Sequence, residues 1–217
     1  MKASSHSASH GFQLALHHPG PATCFATLRL AGSLPAHIVR ELQEHQHACR
    51  QVLAGIPEAP KRDAVTAEEE LSCLEQFDRH LARHRVGPEW LGEARIAAMV
   101  SEALRQKDGR EFDLLVSCIM PNHIHCIIDT GRLDGGAQAA PKVLSGLKRH
   151  TAHEANAFLM RTGVFWEHDH LEYPVRTSDV FSRILWDVLS DPVRSDLCSG
   201  WHEWPWSYCR PGLLTAI

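Results

Sequence analysis

The stretch that decides the fold is CIMPNHIHCII, Cys118 to Ile128, where two histidines stand in the most apolar part of the chain. Pro121-Asn122 is good turn chemistry: proline presets φ at the first central position and asparagine tolerates the second. On its N-terminal side, EFDLLVSCIM (111–120) reads as a buried strand, and HIHCIID (123–129) as a second. The pair predicts an antiparallel hairpin. Along a strand, residues i and i+2 face the same way, about 6.6 Å apart. His123 and His125 therefore share one face, and Ile124 and Cys126 the other. Two imidazoles so placed can lean onto one ion, each about 2.0–2.2 Å from it. Cys126, on the opposite face, is a poor third ligand, which argues against a Cys/His zinc site. The same spacing also fits two histidines on an exposed or internally satisfied sheet face.

Outward from the hairpin, both helical and strand periods recur. TCFATLRL (23–30) alternates, with Cys24, Ala26, Leu28 and Leu30 on one side and Phe25, Thr27 and Arg29 on the other, the pattern of a half-buried strand. Ile38, Val39, Leu42, Val52 and Leu53 give residues 36–54 a weak helical stripe, and GIPEAPKRD (55–63) reads as a loop. Residues 67–84 form a charged amphipathic helix whose apolar row is Leu71, Leu74 and Leu81, an added cap or insertion. Residues 93–106 carry the cleanest helical period, with Ile96, Met99, Val100, Ala103 and Leu104 on one face. After the linker 131–141, a helix is predicted over 142–160. The last helix should start at a Thr177-Ser178-Asp179 cap and stop at Asp191, because Pro192 follows. An aromatic tail, WHEWPWSYCRPG, should pack over the core and add a strand. This order indicates α+β with an antiparallel sheet.

The bulk properties narrow the function classes. At 217 residues and 44% hydrophobic content, the chain can bury a core. A formal charge of −4 means that any nucleic-acid role rests on a local basic surface. The 7 cysteines are odd in number and form no C-x-x-C pair, so neither a disulfide framework nor a zinc ribbon is expected, and a reducing cytoplasm is the expected compartment. The polar, His-rich start predicts no signal peptide, and no run reaches the roughly 18–20 apolar residues of a membrane span.

The hairpin resembles the HUH motif (histidine, bulky hydrophobic, histidine) of single-tyrosine transposases. It is most similar to the REP-associated tyrosine transposases, whose usual motif reads M-P-N-H-V/I-H. Met120-Pro121-Asn122-His123-Ile124-His125 matches it position by position. FATLRLAGSLP (25–35), GPEWL (87–91), SGLKRHTAHEAN (145–156), VFWEH, Val175-Arg176, DPVRSDL (191–197) and WPWSY (204–208) resemble further family segments in the family's order, over roughly 22–210. The resemblance implies a ferredoxin-like α+β domain with helices on one face, the HUH hairpin at the centre of the sheet and a helical insertion at about 57–92. Residues 1–21 would be a loose arm and 211–217 a tail. It implies Mg²⁺ or Mn²⁺ held by the histidines, and a substrate that is single-stranded or hairpin DNA from palindromic repeats. A tyrosine on the last helix would attack the phosphate, and a polar side chain one turn on would complete the metal shell. A monomer or homodimer is expected, with no membrane partner.

The sequence departs from that family at the chemistry itself. The family's last helix reads Y-I-x-x-N-P-V; here it reads WDVLSDPV. Counting back from Pro192, Asp187 stands at the tyrosine position and Asp191 at the asparagine position. Asp191 can still ligate a hard cation. An aspartate attacking a phosphodiester would give an acyl phosphate, which water hydrolyses, so Asp187 supports strand transfer poorly. Tyr173, in LEYPVR, sits where the family shows a histidine, and is the alternative nucleophile. Asn122, Lys148, Arg149 and Arg176 are the candidate DNA contacts. The expectation is therefore a DNA-binding HUH protein holding metal at His123, His125 and Asp191, with doubtful cleavage. Two alternatives are nicking through Tyr173 or a metal-activated water, and a metal-stabilised scaffold without a DNA role.

Overall fold

The computed structural model describes residues 12–14, 19–42, 44, 71–81 and 87–216. In chain order the elements are β1 (Phe12–Leu14), β2 (Thr23–Arg29), the helical residues 36–42 (α1) and 71–81 (α2), α3 (Ala94–Lys107), β3 (Asp113–Ile119), β4 (His123–Asp129), α4 (Ala140–Phe158), β5 (Leu171–Pro174), α5 (Ser178–Arg194), β6 (Ser207–Cys209) and β7 (Leu214–Ala216). The rest of 36–54 and of the insertion expected at 57–92, and the loop 55–63, lie outside the described residues. Phe12–Leu14 and Leu214–Ala216, from the arm and the tail, pair as a two-stranded antiparallel sheet.

The hairpin forms where the sequence places it. Pro121 and Asn122 make its loop, closed by the Met120 amide donating to the His123 carbonyl at 2.8 Å. The Leu30 amide then donates to the Asn122 carbonyl at 2.9 Å, tying the loop to β2. A bulge at Leu115 shifts the register between Leu114↔Ile128 and Val116↔Ile127. Arg210 satisfies the bulge: its amide donates to the Leu115 carbonyl and its Nε to that of Leu114, both at 2.8 Å.

The five-stranded sheet runs β5-β2-β4-β3-β6, and every pairing is antiparallel. Without the added edge strand β6, this is the strand order of a ferredoxin-like β-α-β-β-α-β unit. The strand carrying the histidines is the central one. The fold class, α+β on an antiparallel sheet, is the one the sequence predicts.

Helices cover both faces rather than one. Cys24, Ala26, Leu28, Ile124, Cys126 and Ile128 pack against α3 and α4, through Ile96, Val100, Leu104, Leu144 and Leu147. Phe25, Val116, Cys118 and Ile127 point the other way, against Phe181, Ile184, Leu185 and Val188 of α5 and Leu71 and Leu74 of α2. For that reason β2 is buried on both sides except at Arg29, not half-buried as its alternation suggests. Alternation distinguishes two faces; it does not say that one of them is wet. A smaller cluster joins Leu34 and Ile38 to Leu81, so α2 rests on α1 as well as on α5. Among the described residues no helix is long and apolar enough to cross a membrane.

The last helix also differs from expectation at its end. Thr177 is its N-cap, its hydroxyl accepting from the Val180 amide at 3.3 Å. The helix then runs through Pro192 to Arg194. Proline costs about 3 kcal/mol or more in a helix interior by removing an N–H and crowding the preceding turn. Here it sits in the final turn and is buried, and the Ser195 and Leu197 amides return to the Asp191 and Pro192 carbonyls, both at 2.9 Å. Tertiary burial outweighs the local penalty, and Asp191 is held as a regular helical residue facing the sheet.

Candidate metal centre

The α5 layer brings one carboxylate down onto the central strand. His123 Nε2 lies 2.9 Å from His125 Nε2 and 3.1 Å from Asp191 Oδ2. His125 Nε2 is 3.6 Å from the same oxygen. All three residues are buried, at 1%, 2% and 4% exposure. They form a group of metal-ligating side chains whose donor atoms lie within 4.8 Å of one another.

Each imidazole is oriented from behind. His123 Nδ1 is 2.6 Å from Asn122 Oδ1, which only accepts, so Nδ1–H donates to it and Nε2 is the nitrogen left to face the cluster. The Asn122 amide is itself fixed, donating to the Leu81 carbonyl of α2 at 3.4 Å. His125 Nδ1 is 3.0 Å from the Thr27 hydroxyl, which can accept as readily as donate. The Phe25 ring stacks on His125 at 5.5 Å, fixing its plane. Such partners behind a ligating imidazole set its tautomer and raise its basicity.

The donor set fits a divalent ion. Two donors each about 2.1 Å from one ion lie about 3.0 Å apart at a right angle and about 3.4 Å apart at the tetrahedral angle. The three separations above fall close to that range. Electrostatics point the same way. Burial, then the neighbouring His123, pull the His125 pKa well below the ordinary histidine value; Arg194 adds to this and Asp191 opposes it. Burial alone would raise the Asp191 carboxyl, but the His123 hydrogen bond and charge, with His125 and Arg194, hold it down at about 2. An ionised carboxylate beside a neutral imidazole is the protonation state that a cation selects. His123, His125 and Asp191 can thus hold a divalent metal.

The other expected site residues are distributed differently. Asp187 lies one turn before Asp191, at 44% side-chain exposure, with Arg194 Nη1 3.3 Å from its Oδ1. It stands outside the donor cluster. Tyr173 is buried on β5, opposite Phe25 in register and among the α5-side apolar residues. Asn122 is 5% exposed, and its side chain is committed to His123 and α2 rather than to an outer surface. Lys148 and Arg149 sit on α4, which packs on the sheet face opposite the histidines. Lys148 Nζ donates to the His168 carbonyl at 2.7 Å, while Arg149 is exposed. Arg176 is exposed just before α5. The structure gathers His123, His125 and Asp191, and none of these cations belongs to that donor group.

Three participants escaped sequence reasoning. Thr27 and Arg194 carry no local signal. Asp78 does. Leu71, Leu74 and Leu81 are the apolar row of α2, and position 78, four beyond Leu74 and three before Leu81, belongs to that row. Asp78 therefore puts a carboxylate on the covered face of the helix. Its Oδ1 lies 3.8 Å from His125 Nε2. Burial, then the Asp191 charge, push its pKa well above the usual carboxylate value; Arg194 opposes, and Asp187 and Glu75 add.

No family model matches the chain, and no curated protein matches it. Among solved structures, one described as a REP-associated tyrosine transposase bound to a REP hairpin is similar over 90% of this chain and 81% of its own, at 13% identity and a TM-score of 0.46.

Proposed function

We propose that this protein is a metal-dependent HUH-type DNA-binding protein that takes single-stranded or hairpin DNA and lacks the covalent step of tyrosine transposition. The observation that carries the reading is the convergence of His123, His125 and Asp191 on the central strand, within the M-P-N-H-I-H sequence. An ion bound there, Mg²⁺ or Mn²⁺, would supply Lewis-acid polarisation of a phosphodiester oxygen. The chain's own residues do the rest of the positioning. Asn122 and Thr27 orient the imidazoles, and Asp191 balances charge. Lys148, Arg149 and Arg176 are the proposed phosphate contacts, exposed or half-buried cations whose contribution falls with salt.

Tyr173 is given a packing role. It is buried opposite Phe25, and Phe25 in turn stacks on His125. Asp187 is the residue left for water activation: it is half-exposed and lies on the α5 flank that carries Asp191. A nick through it would leave no protein–DNA adduct.

A second reading is favoured by one specific observation, the depth of the donors. His123 and His125 are almost wholly covered, with α2 over them. That also suits a metal-stabilised scaffold with no DNA role.

The test uses labelled hairpin and single-stranded DNA with the full chain, in Mn²⁺ and in EDTA, across a salt series. Binding is followed by anisotropy and products by denaturing gel. Metal-dependent, salt-sensitive binding without an adduct is expected. A metal-dependent adduct lost in Tyr173→Phe would overturn the assignment of Tyr173. Metal uptake with no DNA binding at any salt would leave the scaffold reading.

A further inference from the structure

We propose that Asp78, on α2, is a fourth ligand of the divalent ion, so that the cap helix is fastened to the sheet through the metal. The inference rests on the metal-site reading above and adds a residue to it.

The geometry carries it. Asp78 Oδ1 is 3.8 Å from His125 Nε2, the same ring nitrogen that lies 2.9 Å from His123 Nε2 and 3.6 Å from Asp191 Oδ2. That oxygen is buried, and it has no hydrogen-bond partner among the described residues. A buried carboxylate oxygen left without a donor is costly, by roughly 1–3 kcal/mol or more. Nearby groups do not offset this. Asp191, also a carboxylate, offers it no donor, and Arg194 donates to Asp187 at 2.9 Å and 3.3 Å and pairs with Asp191 at 3.7 Å. A cation between Asp78, Asp191 and the two imidazoles would give that buried oxygen a partner.

The rest of α2 is built to hold Asp78 there. Leu74 and Leu81 flank it along the helix and are 4% and 1% exposed. The Leu81 carbonyl accepts from Asn122, and Glu75 pairs with Arg183 of α5. The helix is thus packed onto the layer that supplies Asp191. Two imidazoles and two carboxylates give a divalent ion a neutral shell of nitrogen and oxygen, suited to Mn²⁺. If the ion is six-coordinate, two positions remain for water or phosphate oxygen.

The experiment is Mn²⁺ binding to the full chain after EDTA treatment and desalting, read by loss of the free-ion paramagnetic signal. Asp78→Asn and His123→Ala are measured alongside. Tenfold or greater weakening is expected in Asp78→Asn, with loss of detectable binding in His123→Ala. Metal-free Asp78→Asn should unfold at about the same temperature as the wild type, because the amide keeps the side chain's shape and no hydrogen bond to Oδ1 is lost. Wild-type affinity in Asp78→Asn overturns the proposal and leaves the three-ligand site standing. No Mn²⁺ uptake by the wild type, or uptake unaffected by His123→Ala, removes the three-ligand site and the fourth ligand together. Hydrogen exchange on the wild type needs no variant: Mn²⁺ should slow exchange of the amides of 71–81, and unchanged exchange there overturns the proposal.

Discussion

His123 Nε2 and Asp191 Oδ2 lie 3.1 Å apart although 68 residues separate them in the chain. One comes from the central strand of the sheet and the other from the last turns of α5. Their contact joins the two layers of the α5-side core at a polar point, and it makes metal binding, acid stability and the seating of α5 properties of one cluster.

Asn122 controls the first imidazole. Asn122→Ala removes the acceptor at His123 Nδ1 and frees the ring to change tautomer. Metal affinity is expected to fall roughly 10- to 100-fold. Asn122→Asp, which keeps an acceptor, should recover most of it. Calorimetric titration with Mn²⁺ checks both variants, and equal affinity in Asn122→Ala would remove the orienting role.

In metal-free protein, Asp191 and His125 should both make the fold acid-sensitive. The Asp191 pKa is lowered from 3.8 to about 2, so its contribution is present above the unfolded value and is lost as pH falls through the folded one. That shift corresponds to about 2 kcal/mol. His125 is a base whose pKa drops on folding. Below about pH 6.5 the unfolded chain takes a proton that the folded chain refuses, so stability declines as pH falls from there. Denaturant titrations in EDTA from pH 8 to 3 should show loss beginning near pH 6.5. In Asp191→Asn the decline near pH 3–4 should shrink.

Tyr173→Phe is expected to leave Mn²⁺ affinity unchanged and to shift stability by no more than about 1 kcal/mol. Its ring packs in the core, and the hydroxyl is all that is removed. Any DNA nicking by the wild type should persist in the variant at the same rate. Loss of nicking with metal affinity intact would return Tyr173 to the chemistry.

The buried thiols should be inert. Burial, with Glu172 and Asp129 adding, pushes Cys24 up to about 12, and burial raises Cys118 and Cys126 as well. The thiolate is the reactive form. Iodoacetamide at pH 8 should leave Cys24, Cys118 and Cys126 unmodified in the native protein and label them after denaturation. Peptide mass analysis reads the outcome. Native labelling at any of the three would show that its layer opens on that timescale.

Much of this was legible in residue order. The hairpin was, because Pro121-Asn122 is a local turn signal and the flanking apolar runs have strand length. The shared face of His123 and His125 was, because strand geometry requires it. Helices α3 and α4 start and end within about two residues of the ranges their apolar periods indicate, within the usual uncertainty of helix ends. The end of α5 was not legible, because the penalty for Pro192 is local while the burial that offsets it comes from the rest of the α5-side core. The burial of β2 on both faces was not legible either: its Phe25-Thr27-Arg29 side mixes apolar and polar residues, and Thr27 is polar because it meets His125.

The sequence by itself determined the unit of chemistry, two imidazoles on one face of a strand, because side chains two residues apart in an extended backbone point the same way. It also places an aspartate at 187, one helical turn before Asp191. Only the tertiary structure decided what faces those imidazoles. Asp191 reaches them because α5 packs across the sheet, and Asp78 because α2 packs beside α5. Each placement depends on long-range burial of leucine, isoleucine and valine side chains, worth about 1.5–3 kcal/mol apiece. The apolar row of α2 marks position 78 as covered, but no short-range pattern says what either aspartate meets.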